Sequence, residues 1–221
     1  MCSIRTAESV CAGHPDKLAD QIADQILDDI LYDDKAARVA VEVMAAGRRI
    51  IVTGEITTNH RPRIRESVRT ALARAGYSPL GILIYVWTRR QSSDINAGVT
   101  TSLEARGGDS SAFALQGAGD QGTVYGYATA ETPERLPLPL VLAHRICERL
   151  DTAQVEGTIC GIKSDGKAQV SVRYDDTGTP AAVETVVVSV QHEAGKDLAV
   201  LEREVRSLIA VSYTHLTLPT I

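Results

Sequence analysis

The chain has 221 residues, 44% of them apolar and 23% charged, and a formal net charge of -5. This is enough apolar material for one large core or two small ones, and it leaves no basic excess with which to coat nucleic acid or an anionic membrane. No run approaches the roughly 18 apolar residues of a membrane span, and the first residues lack the basic-then-apolar order of a signal peptide, so the chain reads as cytoplasmic, with no nucleic-acid or membrane partner. Cys2, Cys11, Cys147 and Cys160 show neither Cys-x-x-Cys spacing nor a His-rich neighbourhood and read as free thiols.

From Asp16 to Tyr32, Leu18, Ile22, Ile26 and Ile30 recur every four positions behind Pro15, which predicts an amphipathic helix. Two β-branched runs, Arg38 to Met44 and Arg49 to Thr57, flank Ala45-Ala46-Gly47-Arg48 and read as a hairpin. Pro62 opens a second helix carrying Ile64, Val68 and Leu72; Gly76 closes it before an apolar strand from Gly81 to Trp87. Residues 88 to 121 are polar and glycine-rich, too long for an ordinary connection. Beyond them the pattern predicts a strand near Gly122 to Thr129 and a helix over Leu138 to Leu150. Strands near Gln169 to Tyr174 and Val183 to Val190 and a helix over Lys196 to Leu208 follow.

The order of elements repeats, although the letters do not. This predicts an α+β fold of repeated units, each an antiparallel sheet with helices on one face, the final unit incomplete. The expected divisions are an N-terminal α+β domain over residues 1–100, a loop or linker over 101–116 and a truncated central α+β domain over 117–210. Uncovered sheet faces would need a partner from the other unit, from further sequence or from a second subunit.

Gly13-His14-Pro15-Asp16-Lys17 sets a small residue, an imidazole, a helix-starting proline, a carboxylate and a cation at one helix start. Helix N-termini favour anions, and a carboxylate there can hold Mg²⁺ against phosphates. On spacing alone, a capped helix with exposed charges is the favoured reading.

The longer string from Glu8 to Lys17, Glu-Ser-Val-Cys-Ala-Gly-His-Pro-Asp-Lys, resembles the N-terminal signature of the methionine adenosyltransferase (S-adenosylmethionine synthetase) family. The resemblance continues through Gly54-Glu55-Ile56-Thr57-Thr58, Gln91-Ser92-Ser93-Asp94-Ile95-Asn96, Gly117-Ala118-Gly119-Asp120-Gln121-Gly122, Tyr125-Gly126-Tyr127-Ala128-Thr129 and Ser164-Asp165-Gly166-Lys167-Ala168-Gln169-Val170. It covers about residues 4 to 210, which would be the first domain and most of the second of three similar domains. The resemblance implies attack of the methionine sulfur on the 5′ carbon of ATP, with the triphosphate expelled and then split to phosphate and pyrophosphate.

By that resemblance His14 and Lys167 would be catalytic and, with Asp165 and Gly166, would bind ATP. Glu55, Gln91 and Asp120 would hold methionine, Asp16 would ligate Mg²⁺ and Glu42 would ligate K⁺. Residues 91–116 would form a mobile lid, and the complete protein would be a homo-oligomer, a dimer or a dimer of dimers. His144 and His192 read as structural, and Cys11 as a small residue near the pocket. The family's glycine-rich phosphate loop, its further basic residues and its adenine shelf have no counterpart here, so the chain is expected to be inactive by itself. The alternative is a non-catalytic binding or regulatory subunit that keeps the dimer surface. Residues 211–221 resemble translated adapter read-through and read as a non-native tail.

Overall fold

In a computed structural model of the chain, the described residues are 3–92, 102–111, 114 and 122–213, with side chains described as far as residue 208. The elements are β1 (Ser3–Val10), α1 (Pro15–Asp33), β2 (Arg38–Ala46), β3 (Arg49–Thr57), α2 (Ile64–Arg74), β4 (Leu83–Arg89), α3 (Leu103–Arg106), α4 (Leu138–Glu156), β5 (Ile162–Tyr174), β6 (Pro180–His192) and α5 (Leu198–Tyr213). They fall into two compact units. One gathers residues up to Lys17, Ala75–Tyr77 and the chain from Gly126; the other gathers Leu18–Arg74 and Ser78–Tyr125.

In the unit from Leu18, the sheet order is β2-β3-β4. The β2–β3 hairpin is antiparallel, with Ala40 opposite Glu55 and Glu42 opposite Thr53. β3 and β4 instead pair parallel, Ile50 beside Ile84 and Glu55 beside Arg89. The reason is the connection: a helix, α2, lies between them, and a crossover of that length returns the chain in the same direction. Ile50, Val52 and Ile56 are buried, as are Ile22, Ile26 and Ile30 on α1 and Val68, Ala71 and Leu72 on α2. Arg74 of α2 donates to the Gln25 side chain of α1 at 2.7 Å. At the far end of α1, the Asp34 carboxylate receives the Thr58 hydroxyl and the Asn59 N–H, both at 2.9 Å.

The other unit has a sheet in the order β1-β5-β6, antiparallel throughout. β5 alternates without a break: Ile162, Ser164, Gly166, Ala168, Val170, Val172 and Tyr174 are buried, while Asp165, Lys167, Gln169 and Ser171 face the other way. The buried row forms one core with Leu142, Ile146 and Leu150 of α4 and Leu201 and Val205 of α5. α4 outruns the expected Leu150 because no breaker intervenes before Gly157, which ends it with φ of 70°. β1 was not foreseen. Most of its residues are exposed and show no apolar alternation, so the strand exists through its pairing with β5. The strand expected at Gly122 to Thr129 is absent: these residues join no ladder, and Val124 is 96% exposed. β-propensity makes a strand only where a neighbour accepts its backbone hydrogen bonds.

Glu131 ties this unit together. Its Oε2 accepts the Tyr174 hydroxyl at 2.6 Å and the Leu138 N–H at the start of α4 at 3.1 Å. Its Oε1 accepts from Thr129 at 3.2 Å and from Arg5 of β1 at 3.4 Å, and the Arg5 guanidinium lies 4.1 Å from the Tyr174 ring centre. Burial pushes the Glu131 carboxyl up, but these donors together outweigh it and hold it below the usual glutamate range. A carboxylate depressed in the folded state contributes stability that is complete above its unfolded value and is lost as pH falls through the lower, folded value. Glu131→Gln is therefore expected to cost about 1–2 kcal/mol at neutral pH. In urea unfolding at stepped pH, the gap between variant and parent should close as the pH drops below the ordinary glutamate range; a gap independent of pH would contradict this.

Candidate active site

The β1–β5 ladder does not stop at Val10, which pairs with Lys167. It runs on through the loop: Cys11 N–H donates to Gly166 O at 2.9 Å and Gly13 N–H to Ser164 O at 3.0 Å. Gly13 crosses Ser164 so closely that a Cβ would stand 2.5 Å from the Ser164 Cβ and 2.8 Å from its backbone, so only glycine fits. The chain then turns, His14 N–H donating to Cys11 O at 3.1 Å, and Pro15 begins α1. His14 and Asp16 thus lie at the same end of the sheet as Asp165, Gly166 and Lys167, the residues that the sequence singled out.

His14 Nδ1 accepts the Asp16 N–H at 3.3 Å, which leaves Nε2 as the protonated, donating nitrogen of the ring. The His14 side chain is 23% exposed and the Asp16 side chain 91%. Lys17 folds back to donate to Val10 O. Lys167 Nζ sits 2.8 Å from Glu8 Oε2 across the β1–β5 pair, both side chains about half exposed. Behind the turn, Tyr77 donates its hydroxyl to Gly13 O at 2.6 Å. Burial, reinforced by the Asp165 charge, pushes that phenol's pKa up, so the group remains a donor.

Glu42, Glu55 and Gln91 belong to the other unit. Glu42 and Glu55 share one face of the β2–β3 hairpin. Glu55 is 16% exposed and already holds a cation: Arg89 Nε donates to its Oε1 at 3.1 Å. Gln91 follows two residues after Arg89. Gly54, just before Glu55, has φ of 127°, and a Cβ there would lie 2.1 Å from Ala40 O, so the strand accepts no other residue at that point. Asp120 and residues 93–101, 112–113 and 115–121 of the expected lid and linker lie outside the described residues. Among the described residues no three His, Cys, Asp or Glu side chains gather as a metal-binding group. Asp16 nonetheless suits Mg²⁺, which is commonly held by one or two carboxylates together with phosphate oxygens and water. Cys11, Cys147 and Cys160 are free thiols, and no described helix is long and apolar enough to cross a membrane.

Glu8 and Tyr77 were not picked out as site residues from the sequence. Glu8 appears only as the first letter of a motif, and nothing local marks Tyr77; both acquire their positions through tertiary pairing.

The chain is of the α+β class, with an imidazole, an exposed carboxylate and a lysine at one sheet end. The family model for the S-adenosylmethionine synthetase N-terminal domain matches residues 3–93, and that for the central domain matches residues 115–218. Curated relatives named S-adenosylmethionine synthase include those of Kosmotoga olearia, 46% identical over 211 residues, and Corynebacterium urealyticum, 43% over 196. That of Mycolicibacterium gilvum is 41% identical over 233. These alignments cover 92%, 85% and 97% of this chain but only 52%, 49% and 57% of the relatives. The chain belongs to the S-adenosylmethionine synthetase family, and it spans about half the length of the curated relatives it matches.

Gly13→Ala is expected to destabilise the chain by about 1–3 kcal/mol through overpacking against Ser164. Lys167→Met, which removes only a half-exposed ion pair, should stay within about 0.5 kcal/mol of the parent. Chemical denaturation of the two variants side by side checks both; equal losses would contradict the close approach at Gly13.

Proposed function

We propose that this chain carries the N-terminal and central parts of an enzyme that makes S-adenosylmethionine from ATP and L-methionine, releasing phosphate and pyrophosphate. The observation that carries the reading is the convergence of His14, Asp16, Asp165, Gly166 and Lys167 at one end of the β1–β5 ladder in a chain of this family. A neutral thioether needs no general base. Catalysis therefore rests on alignment and on stabilising the charge that develops on the departing polyphosphate. His14, with a donating Nε2, and Lys167, whose ammonium would exchange Glu8 for a phosphate oxygen, are the catalytic groups. Asp165 and Gly166 complete the ATP contacts.

Asp16 is the Mg²⁺ ligand in this reading, and the ion, when bound, would neutralise phosphate charge. Glu42, with the Thr53 hydroxyl-bearing residue opposite it, would contribute oxygen to K⁺. Glu55, Gln91 and Asp120 hold methionine. That Glu55 takes the Arg89 guanidinium supports its fitness for a substrate ammonium, since both are nitrogen cations donating to a carboxylate. The face of the β2-β3-β4 sheet bearing Met44, Leu83, Tyr85 and Trp87 is exposed, and Tyr85 and Trp87 stack on it at 5.8 Å. An apolar face of this kind supports a homo-oligomer built by pairing sheets.

The two lysines at this end are both engaged already, Lys17 with Val10 O and Lys167 with Glu8, and the chain spans about half the length of its relatives, so it is expected to be inactive by itself. The test is formation of S-adenosylmethionine and pyrophosphate with Mg²⁺ and K⁺, on this chain and on a longer form that adds the C-terminal part of a full-length relative. Activity is expected only in the longer form, with His14→Asn lowering kcat by a factor of about 10²–10⁴. Asp16→Asn should raise the Mg²⁺ concentration required. Activity in neither would favour a non-catalytic binding or regulatory subunit.

A further inference from the structure

Four consecutive backbone amides build the turn that presents His14 and Asp16, and three of them are satisfied by the chain's own backbone. Cys11 and Gly13 donate across to β5, and His14 donates back to Cys11. The amide of Ala12, between the two that face β5, points to the opposite side, as alternate residues of a strand do. β1 is the edge of the sheet order β1-β5-β6, so among the described residues no strand lies there to accept it. A partly buried N–H in that position needs an acceptor. Asp151, in the last two turns of α4, supplies it with both oxygens, each 3.1 Å from the Ala12 nitrogen.

We propose that Asp151 is a positioning residue: its carboxylate clamps the Ala12 amide from α4 and so fixes the turn from which His14 and Asp16 project. The proposal rests on reading that turn as the nucleotide-binding end. Asp151 is not the solvated charge that its place near a helix end would suggest. The groups that face it are Lys17 from α1, the Cys11 thiol from the loop, and Glu148 from its own helix, while Cys147, also of α4, touches Cys11, which donates its thiol to Cys147 O at 3.8 Å. Burial pushes the Asp151 carboxyl up; the Ala12 N–H, Lys17 and the Cys11 thiol oppose that rise without cancelling it, and Glu148 adds to it. The clamp is thus at full strength when the carboxylate is ionised and weakens as pH falls through a value above the ordinary aspartate range.

The test is amide NMR on the ¹⁵N-labelled chain, which needs no ligand. In the parent, the Ala12 amide proton should move with pH along one titration curve whose midpoint lies above the usual aspartate value. Asp151→Asn should flatten that curve, and Asp151→Glu should keep it. In Asp151→Asn, hydrogen exchange at Ala12, Gly13 and His14 should accelerate about tenfold or more, as expected for loss of a hydrogen bond to a charged acceptor, while Leu142, Ile146 and Val170 keep their rates. An Ala12 amide indifferent to pH, or exchange that rises by one common factor through α4 and β5, would overturn the proposal. If Asp151→Asn does not fold, the parent's pH titration decides alone. A chain that folds this way yet yields no S-adenosylmethionine when continued to full length would count against the proposed function and leave the clamp standing.

Discussion

The antiparallel ladder between β1 and β5 is the constraint on which the site depends. Its side chains alternate with a period of two, so the register that buries Ala168, Val170 and Val172 also turns Lys167 and Asp165 to the other face. Carried past Val10 by the Cys11 and Gly13 amides, the same register sets the start of α1 beside those residues. A slip of one position would bury Lys167 in the α4 core and part His14 from the strand that faces it. Gly13 guards the register sterically, since its approach to Ser164 tolerates no side chain.

The electrostatics follow from the same pairing. Neither lysine at this end stands as a free cation: Lys17 is folded onto Val10 O and Lys167 is paired with Glu8. An exposed pair of this sort is worth little in stability, so exchanging Glu8 for a more highly charged phosphate is inexpensive. In a chain with a net charge of -5, the anion binding proposed above would draw on such local exchange, on the α1 N-terminus and on a metal ion when bound, and not on a broad basic surface.

How much of this was legible depends on where the information sits. α1, the β2–β3 hairpin and α2 were readable because each buries a regular apolar stripe, Leu18 to Ile30 on α1 being the plainest. β1 was not, because Ser3 to Val10 has no such stripe and owes its form to β5. Gly122 to Thr129 misled for the converse reason, offering β-forming residues with no strand to receive them. The parallel β3–β4 pair was implicit in the helix between the strands but was not drawn from it. Of the candidate residues, His14, Asp16, Glu55 and Lys167 were marked by motif. Tyr77 and Asp151 were invisible because they act on Gly13 and Ala12 across 64 and 139 residues of sequence, and Asp120 lies beyond what is described.

The register of β1 against β5 is the claim most directly open to measurement, by cross-strand backbone NOEs in solution. The contacts expected pair Val10 with Lys167, Ser9 with Ala168 and Glu8 with Gln169, continuing through Cys11 and Gly166. Contacts displaced by even one residue would contradict it, because β1 would then set its other row of side chains beside Lys167 and Gln169.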